Sequence, residues 1–302
     1  MFFLKKHVLK LINKKKYLIL KNDEILKNRK YYYNKFLKKK IIKIDKILKK
    51  NKELNFCHSG HLGDLIYALP LIKEISRSKK CNLFIKLNKK IIYDPSHPNK
   101  NIMISQKNFQ MLLPLLKSQN YLKSVNIYKN ERIDVDLDLF REMPFNIMFH
   151  SIKWYSHITG NSIDISQKFL TTKKNKKFKN KILILRTQRY QNYLINYKFL
   201  RNKKNLLFIG LKNEFYELKK EIKNLKFYDC KNFLEMAEAI NSCKFFVGNL
   251  SFGYAVAEAL KIPRLLENSP DFPIIFPIGK NAYDFYHQIH FEKYFKILDN
   301  KY

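Results

Sequence analysis

Residues 58–70 read HSGHLGDLIYALP, and residues 245–263 read FFVGNLSFGYAVAEALKIP. The chain has 302 residues and only 7 glycines, yet Gly60, Gly63, Gly248 and Gly253 all fall in these two stretches. Each stretch runs from a short apolar strand through a glycine turn into an apolar helix. Glycine in such a turn permits positive φ and lets the main chain approach a ligand closely. The free N–H groups and the dipole of the following helix then favour an anion. In the second turn Ser251 offers a hydroxyl and Asn249 an amide, with Phe252 between Ser251 and Gly253. For one turn alone, glycine used merely to pack helix on strand explains the pattern equally well.

Outward from these turns, strands alternate with helices. Before the boundary the spacing predicts a strand ending at His58, then a helix opening at Asp64 and kinked at Pro70. A strand over 81–87 follows, then a helix and strand within 101–130. IDVDLDLF (133–140) alternates as a strand, with Asp134, Asp136 and Asp138 on one face. The polar, basic run TTKKNKKFKNK (171–181) marks a boundary. Beyond it the pattern predicts strands over 182–186, 205–210, 226–230 and 244–248. Helices are predicted near 192–200 and over 213–224, 232–242 and 253–261. An apolar PRLLE and a C-terminal helix close the chain. The reading is an α/β protein with two Rossmann-like domains facing a cleft, at 51–172 and 173–302, preceded by a basic helical arm at 1–50. Ligands of such folds sit at the carboxyl ends of the strands.

The formal charge is +35, and residues 1–50 hold 18 Lys plus Arg against Asp23, Glu24 and Asp45. Leu4, Val8, Leu11 and Ile12 recur at helical spacing among lysines, a basic amphipathic pattern that can lie on an anionic membrane. A solvated helix packed on the body, in a chain with AT-rich codon usage, gives the same composition. Lysines interrupt every apolar run, so the start does not read as a signal peptide. No run reaches the ~18 apolar residues of a membrane span. Cys57, Cys81, Cys230 and Cys243 lack metal-ligand spacing and read as reduced cytosolic thiols. His287 and His290 have no partner placed to complete a metal site.

Three features of the second half point to a phosphate-bearing ligand. Arg186 and Arg189 in RTQRYQN follow its first strand, in a chain where Lys greatly outnumbers Arg. Arginine's planar fork holds two phosphate oxygens at once. Glu214 lies just past the next strand, where a carboxylate can accept ribose hydroxyls. Glu258 is the weaker candidate, equally suited to pairing with a lysine.

GHLGDLIYALPLIKEI (60–75) resembles the N-terminal signature of the ADP-heptose:lipopolysaccharide heptosyltransferases, and VGNLSFGYAVAEALKIP (247–263) resembles their nucleotide-binding turn. RTQRY, FIGLKNEF and VDLDLF look more like a phage- and marine-bacterial branch of that family. The resemblance spans about residues 54–270. It implies a GT-B glycosyltransferase, metal-independent and inverting, acting in the cytoplasm in lipopolysaccharide-like biosynthesis by hexosyl or heptosyl transfer. The domain at 51–172 would take the acceptor and that at 173–302 a nucleotide-sugar donor. The family's proposed base carries onto Asp64 and its phosphate-binding turn onto Ser251 and its neighbours. Leu250, Phe252 and Ala255 stand where the family has Asp, Gly and His, which weakens ADP-heptose as the donor.

Inverting transfer needs a base for the acceptor hydroxyl and cations for the leaving diphosphate. Asp64 fits the base, with His58 and His61 beside it to orient the acceptor or assist; a helix N-cap is the simpler use of Asp64. The expected partners are a nucleotide sugar, a glycan or lipid-linked acceptor, and an anionic inner-membrane face touched by the arm. One rival is nucleic-acid binding through the +35 charge, with RKYYYNKFLKKK (29–40) interleaving aromatics and lysines. No nucleic-acid-binding motif is present, and that rival leaves the glycine turns unexplained. Another is an inactive sugar-nucleotide binder.

Overall fold

The structure, a computed structural model, describes residues 8–92, 101–144 and 149–302. Residues 14–50 form one unbroken helical rod: α1 (Lys14–Tyr32), a π-helical turn (Tyr33–Leu37) and α2 (Lys38–Lys50). No residue of α1 is buried. Leu18, Ile19 and Leu20 are consecutive and all exposed, so α1 carries no single apolar stripe. Of the predicted N-terminal stripe, Leu4 lies outside the described residues, while Val8, Leu11 and Ile12 are helical and exposed. The next segment differs, because Leu37 and Ile44 enter the main apolar core. The arm set apart at residue 50 by composition is therefore anchored by packing over its second half.

The first half folds as β1 (Glu53–His58), α3 (Leu62–Ser76), β2 (Lys80–Ile85), α4 (Gln106–Lys117), β3 (Ser124–Ile127), β4 (Val135–Asp136) and α5 (Ser151–Thr159). Its sheet is parallel, in the order β3-β2-β1-β4. The predicted strand at 133–140 is only two residues long and turns into a 3₁₀ helix, Leu137–Glu142. The Asp136 carboxylate causes the change by accepting the Asp138 N–H at 2.9 Å, which replaces a ladder bond.

The second half contains β5 (Ile182–Leu185), β6 (Leu206–Ile209), α6 (Lys212–Lys219), β7 (Lys226–Tyr228), α7 (Phe233–Ser242), β8 (Phe245–Asn249), α8 (Phe252–Leu260), β9 (Arg264–Glu267), β10 (Ala282–Phe285) and α9 (Gln288–Lys301). All six strands are parallel, in the order β10-β9-β8-β5-β6-β7. The order reverses between β5 and β8, and in the first sheet between β1 and β4; such crevices are where doubly wound folds bind ligands. The helix predicted near 192–200 is a loop with one 3₁₀ turn, Lys198–Leu200, held by side-chain bonds to Asn192 and Glu221. The short strand β10 was not foreseen.

Helices α3 and α8, which follow the two glycine turns, pack against each other. From Leu65 to Ile72 every residue of α3 is buried, and so is every residue of α8 from Gly253 to Leu260. A helix apolar all round belongs inside, and these two form the joint between the halves. One core cluster runs through both halves. Phe169 N–H reaches across to the Ala259 carbonyl at 3.0 Å, and Ser151 N–H to that of Ile274 at 3.1 Å.

Candidate functional site

In the first half the chemistry gathers where strand order reverses. His58 ends β1 fully buried, and its Nδ1 accepts the Gly60 N–H at 3.0 Å. That bond leaves the proton of the neutral ring on Nε2, which donates to Tyr155 Oη at 3.0 Å. Tyr155 in turn donates to the Asp64 carbonyl at 2.9 Å. Burial depresses the His58 pKa, which keeps this relay neutral. Ser59 gives its N–H (2.9 Å) and its hydroxyl to Asp138 Oδ2. Burial alone would raise the Asp138 carboxyl, but His58, Ser59, Lys89 and Arg141 outweigh it and hold it below its ordinary range.

Asp64 lies in the first turn of α3 and is not its N-cap; His61 occupies that position. The Asp64 Oδ2 accepts from Arg141 Nη2 at 2.8 Å. Among the described residues its Oδ1 carries no hydrogen bond. Arg141 also lies 3.6 Å from Asp138 and stacks over the Phe140 ring. Gly60 is required here for room, since a Cβ would overlap Arg141 Nη2. Gly63 differs: a Cβ there meets nothing within 4 Å, so it faces open space. Neither glycine has a positive φ, contrary to the expectation for these turns.

In the second half several expected ligand groups are otherwise engaged. Arg186 is buried and grips Glu267 through Nε (2.8 Å) and Nη2 (2.9 Å), with a further bond to the Ile195 carbonyl. Glu267 also accepts from the Tyr197 hydroxyl and the Asn192 N–H. The guanidinium is thus used up inside the fold, which corrects its assignment as a phosphate ligand. Asn249, read as an anion donor, instead pins the 187–189 loop. Its Oδ1 accepts the Thr187 N–H at 2.9 Å, and its Nδ2 donates to the Thr187 and Arg189 carbonyls at 2.9 and 2.8 Å. Gly248 and Gly253 are packing glycines: a Cβ at either would stand 2.5 Å from Leu185. Glu258 is buried with Lys261 and Arg264, the pairing foreseen as its simpler role.

What remains open toward the ligand side is a smaller set. Ser251 N-caps α8, accepting the Tyr254 N–H at 3.2 Å, and Phe252 packs on Phe233. The first amides of α8 have no intrahelical acceptors. Arg189 is half-buried, and its guanidinium makes no ion pair among the described residues. It lies near enough to the opposite half to disfavour charge on His61, whose pKa falls mainly through burial. It also favours ionised Glu214, although burial pushes that carboxyl up on balance. His61 thus lies within electrostatic reach of Asp64 and Arg189, and Glu214 within reach of Arg189, whereas Arg186 and Asn249 are held by partners inside the fold. Among the described residues no three His, Cys, Asp or Glu side chains are grouped to hold a metal ion.

No family model matches this chain, and no curated protein matches it in sequence. Among solved structures it is similar to the E. coli heptosyltransferase WaaC with ADP, at 12% identity and a TM-score of 0.50, over 82% of this chain and 99% of that one. The glycosyltransferase family 9 protein of Veillonella parvula aligns over 82% of this chain and 89% of its own, at 12% identity and a TM-score of 0.45. E. coli ADP-heptose lipopolysaccharide heptosyltransferase II aligns over 82% and 98%, at 10% identity and a TM-score of 0.47. The fold, two parallel sheets flanked by helices, is like that of the E. coli heptosyltransferase WaaC. At these identities the likeness is one of fold.

Tyr155 and Ser59 were not forecast as parts of this constellation; the sequence allows the aspartate run, with Arg141 beyond it, to face the acceptor, though a sheet with one polar face is its simpler reading. Arg141 carried a signal, being an arginine in a lysine-dominated chain beside an aspartate run. Tyr155 carried none, because only the packing of α5 brings it to residues 58–64.

Proposed function

We propose that this chain transfers a sugar from a nucleoside-diphosphate sugar to a hydroxyl of a glycan or lipid-linked acceptor, with inversion and without a metal. The observation that supports it best is the Asp64 carboxylate, fixed by Arg141 through one oxygen, with no hydrogen bond on the other among the described residues, and with Arg189 of the opposite half near enough to act on the neighbouring His61. Asp64 Oδ1 takes the acceptor proton as the hydroxyl oxygen bonds to the anomeric carbon. The bond to the diphosphate breaks on the opposite side, and the charge moves onto the leaving group. The amides at the start of α8, the Ser251 hydroxyl and Arg189 receive that charge, and Glu214 binds the ribose. The exposed α1 has lysines all round and no single apolar stripe, so its contact with an anionic inner-membrane surface rests on charge. No helix of the described residues is long and apolar enough to cross a membrane.

The test has two arms. A thermal-shift screen with UDP, GDP, ADP, CMP and their sugars identifies the donor. Asp64→Asn then abolishes transfer and leaves nucleotide binding intact; unchanged turnover removes Asp64 from the mechanism.

A further inference from the structure

Between α2 and the carboxyl ends of β1, β2 and β4 lies a cleft of about 420 Å³. Lys43 lines it from α2, Lys86 and Lys89 from the loop after β2, and Asp134 and Asp136 from the β4 edge. Arg141 also lines it and touches Asp64 at 2.8 Å, so one guanidinium separates this cleft from the proposed base. Some of its charges are paired: Lys40 meets Glu142 at 2.6 Å, and Arg141 lies 3.6 Å from Asp138. Lys89 lies 3.8 Å from Asp138, but Lys43 and Lys86 form no ion pair among the described residues. The Lys86 ammonium rests instead over the Tyr128 ring at 5.8 Å. Asp134 is held by the Asn55 N–H (3.0 Å) and the Asn51 amide (3.4 Å), whereas Asp136 uses only one oxygen, on the Asp138 N–H. The position of Lys43 is set by its neighbour Ile44, buried in the core. A merely solvated basic helix has no need of that anchor.

Two ammonium groups without an ion pair among the described residues, lining one cleft with the spare Asp136 oxygen, match a ligand with one doubly charged oxyanion and a hydroxyl. The ammonium groups take the oxyanion, and Asp136 accepts a hydrogen bond from the hydroxyl. Resting on the transferase reading above, the geometry points to a phosphorylated sugar as the acceptor unit seated here, with the basic arm as one wall of the acceptor site. The arm is then part of substrate recognition, beyond any membrane contact made by α1.

The experiment titrates glucose 6-phosphate, glucose and inorganic phosphate into the full chain at fixed ionic strength, followed by calorimetry. Glucose 6-phosphate binds about tenfold or more tighter than either fragment, the scale of a charge-assisted bond. Lys43→Gln with Lys86→Gln removes that advantage and leaves binding of the nucleoside diphosphate unchanged. Equal binding of glucose 6-phosphate and glucose, or of glucose 6-phosphate and inorganic phosphate, overturns the proposal. So does an equal loss in Lys39→Gln with Lys46→Gln, on the same helix but off the cleft, because diffuse charge then explains the binding. If no nucleoside diphosphate binds while lysine-dependent sugar-phosphate binding persists, the transferase reading falls and the cleft assignment stands.

Discussion

Arg141 lies across Gly60 to reach the Asp64 carboxylate at 2.8 Å, although 77 residues separate the two charged partners in sequence. The obstacle that a Gly60→Ala methyl meets is the far end of a flexible side chain, so the fold survives and the guanidinium moves off. Asp64 then loses its orientation, and a displacement near 1 Å lowers turnover by about a hundredfold. Steady-state kinetics and a melting curve of Gly60→Ala check this; unchanged turnover means that Arg141 does not position Asp64. Gly63→Ala is the control. The methyl meets nothing, and the helix gains about 0.5–1 kcal/mol from alanine. The free protein melts higher, while any ligand that fills this space binds more weakly.

The two arginines of RTQRYQN should separate cleanly. Glu267→Gln leaves buried Arg186 with only Glu221, 3.8 Å away, as a counter-charge, which costs about 3 kcal/mol of stability. Arg189→Gln removes a half-exposed cation with no ion pair among the described residues, so the melting temperature barely moves. Nucleoside-diphosphate affinity falls about tenfold, the value of one charge-assisted contact. Urea unfolding and a binding titration on both variants decide it. A large stability loss in Arg189→Gln would assign that side chain to the fold as well.

These arginines show where the sequence was legible. The alternation of strands and helices, and the two glycine turns, are local patterns, and both parallel sheets followed from them. Arg186 and Arg189 have the same residue type three positions apart, and nothing nearby distinguishes them. The distinction comes from Glu267, which enters from β9, the strand beyond β8. Gly248 was likewise ambiguous, since only the Leu185 carbonyl on the adjacent strand shows that it serves packing. The polar run at 133–140 misled because strict alternation also fits a 3₁₀ turn capped by its own aspartate. Side chains whose partners lie on distant strands cannot be sorted by spacing.

Stability should fall in acid through His150. Its Nε2 faces the Phe276 carbonyl at 3.2 Å across the joint, and burial, with help from Lys261, pushes its pKa down to about 4. Unfolded, the ring titrates near 6.5. Above pH 6.5 both states are neutral and the group is silent. Below it the unfolded chain takes up a proton that the folded chain refuses, so stability drops between pH 6.5 and 4 by about 2–3 kcal/mol. His58 and His61 are shifted in the same direction by burial and add to the slope. In His150→Gln the fall is shallower than in the unsubstituted chain; identical slopes would remove His150 as a cause.

The rod at residues 14–50 divides into parts with different duties, and truncation should expose the division. Deleting residues 1–32 removes a helix with no buried residue, so the core and the cleft beside α2 stay in place. That chain melts within a few degrees of the full one but no longer floats with anionic vesicles. Deleting residues 1–50 also removes Leu37 and Ile44, which are 2% and 6% exposed. Each such side chain contributes about 2 kcal/mol by burial, so their loss weakens the first half and uncovers α5. The longer deletion therefore lowers the melting temperature sharply, and it abolishes sugar-phosphate binding along with Lys43. Equal stability of the two truncations would mean that α2 is not anchored. Equal flotation of the full chain and the shorter truncation would free α1 from any membrane role.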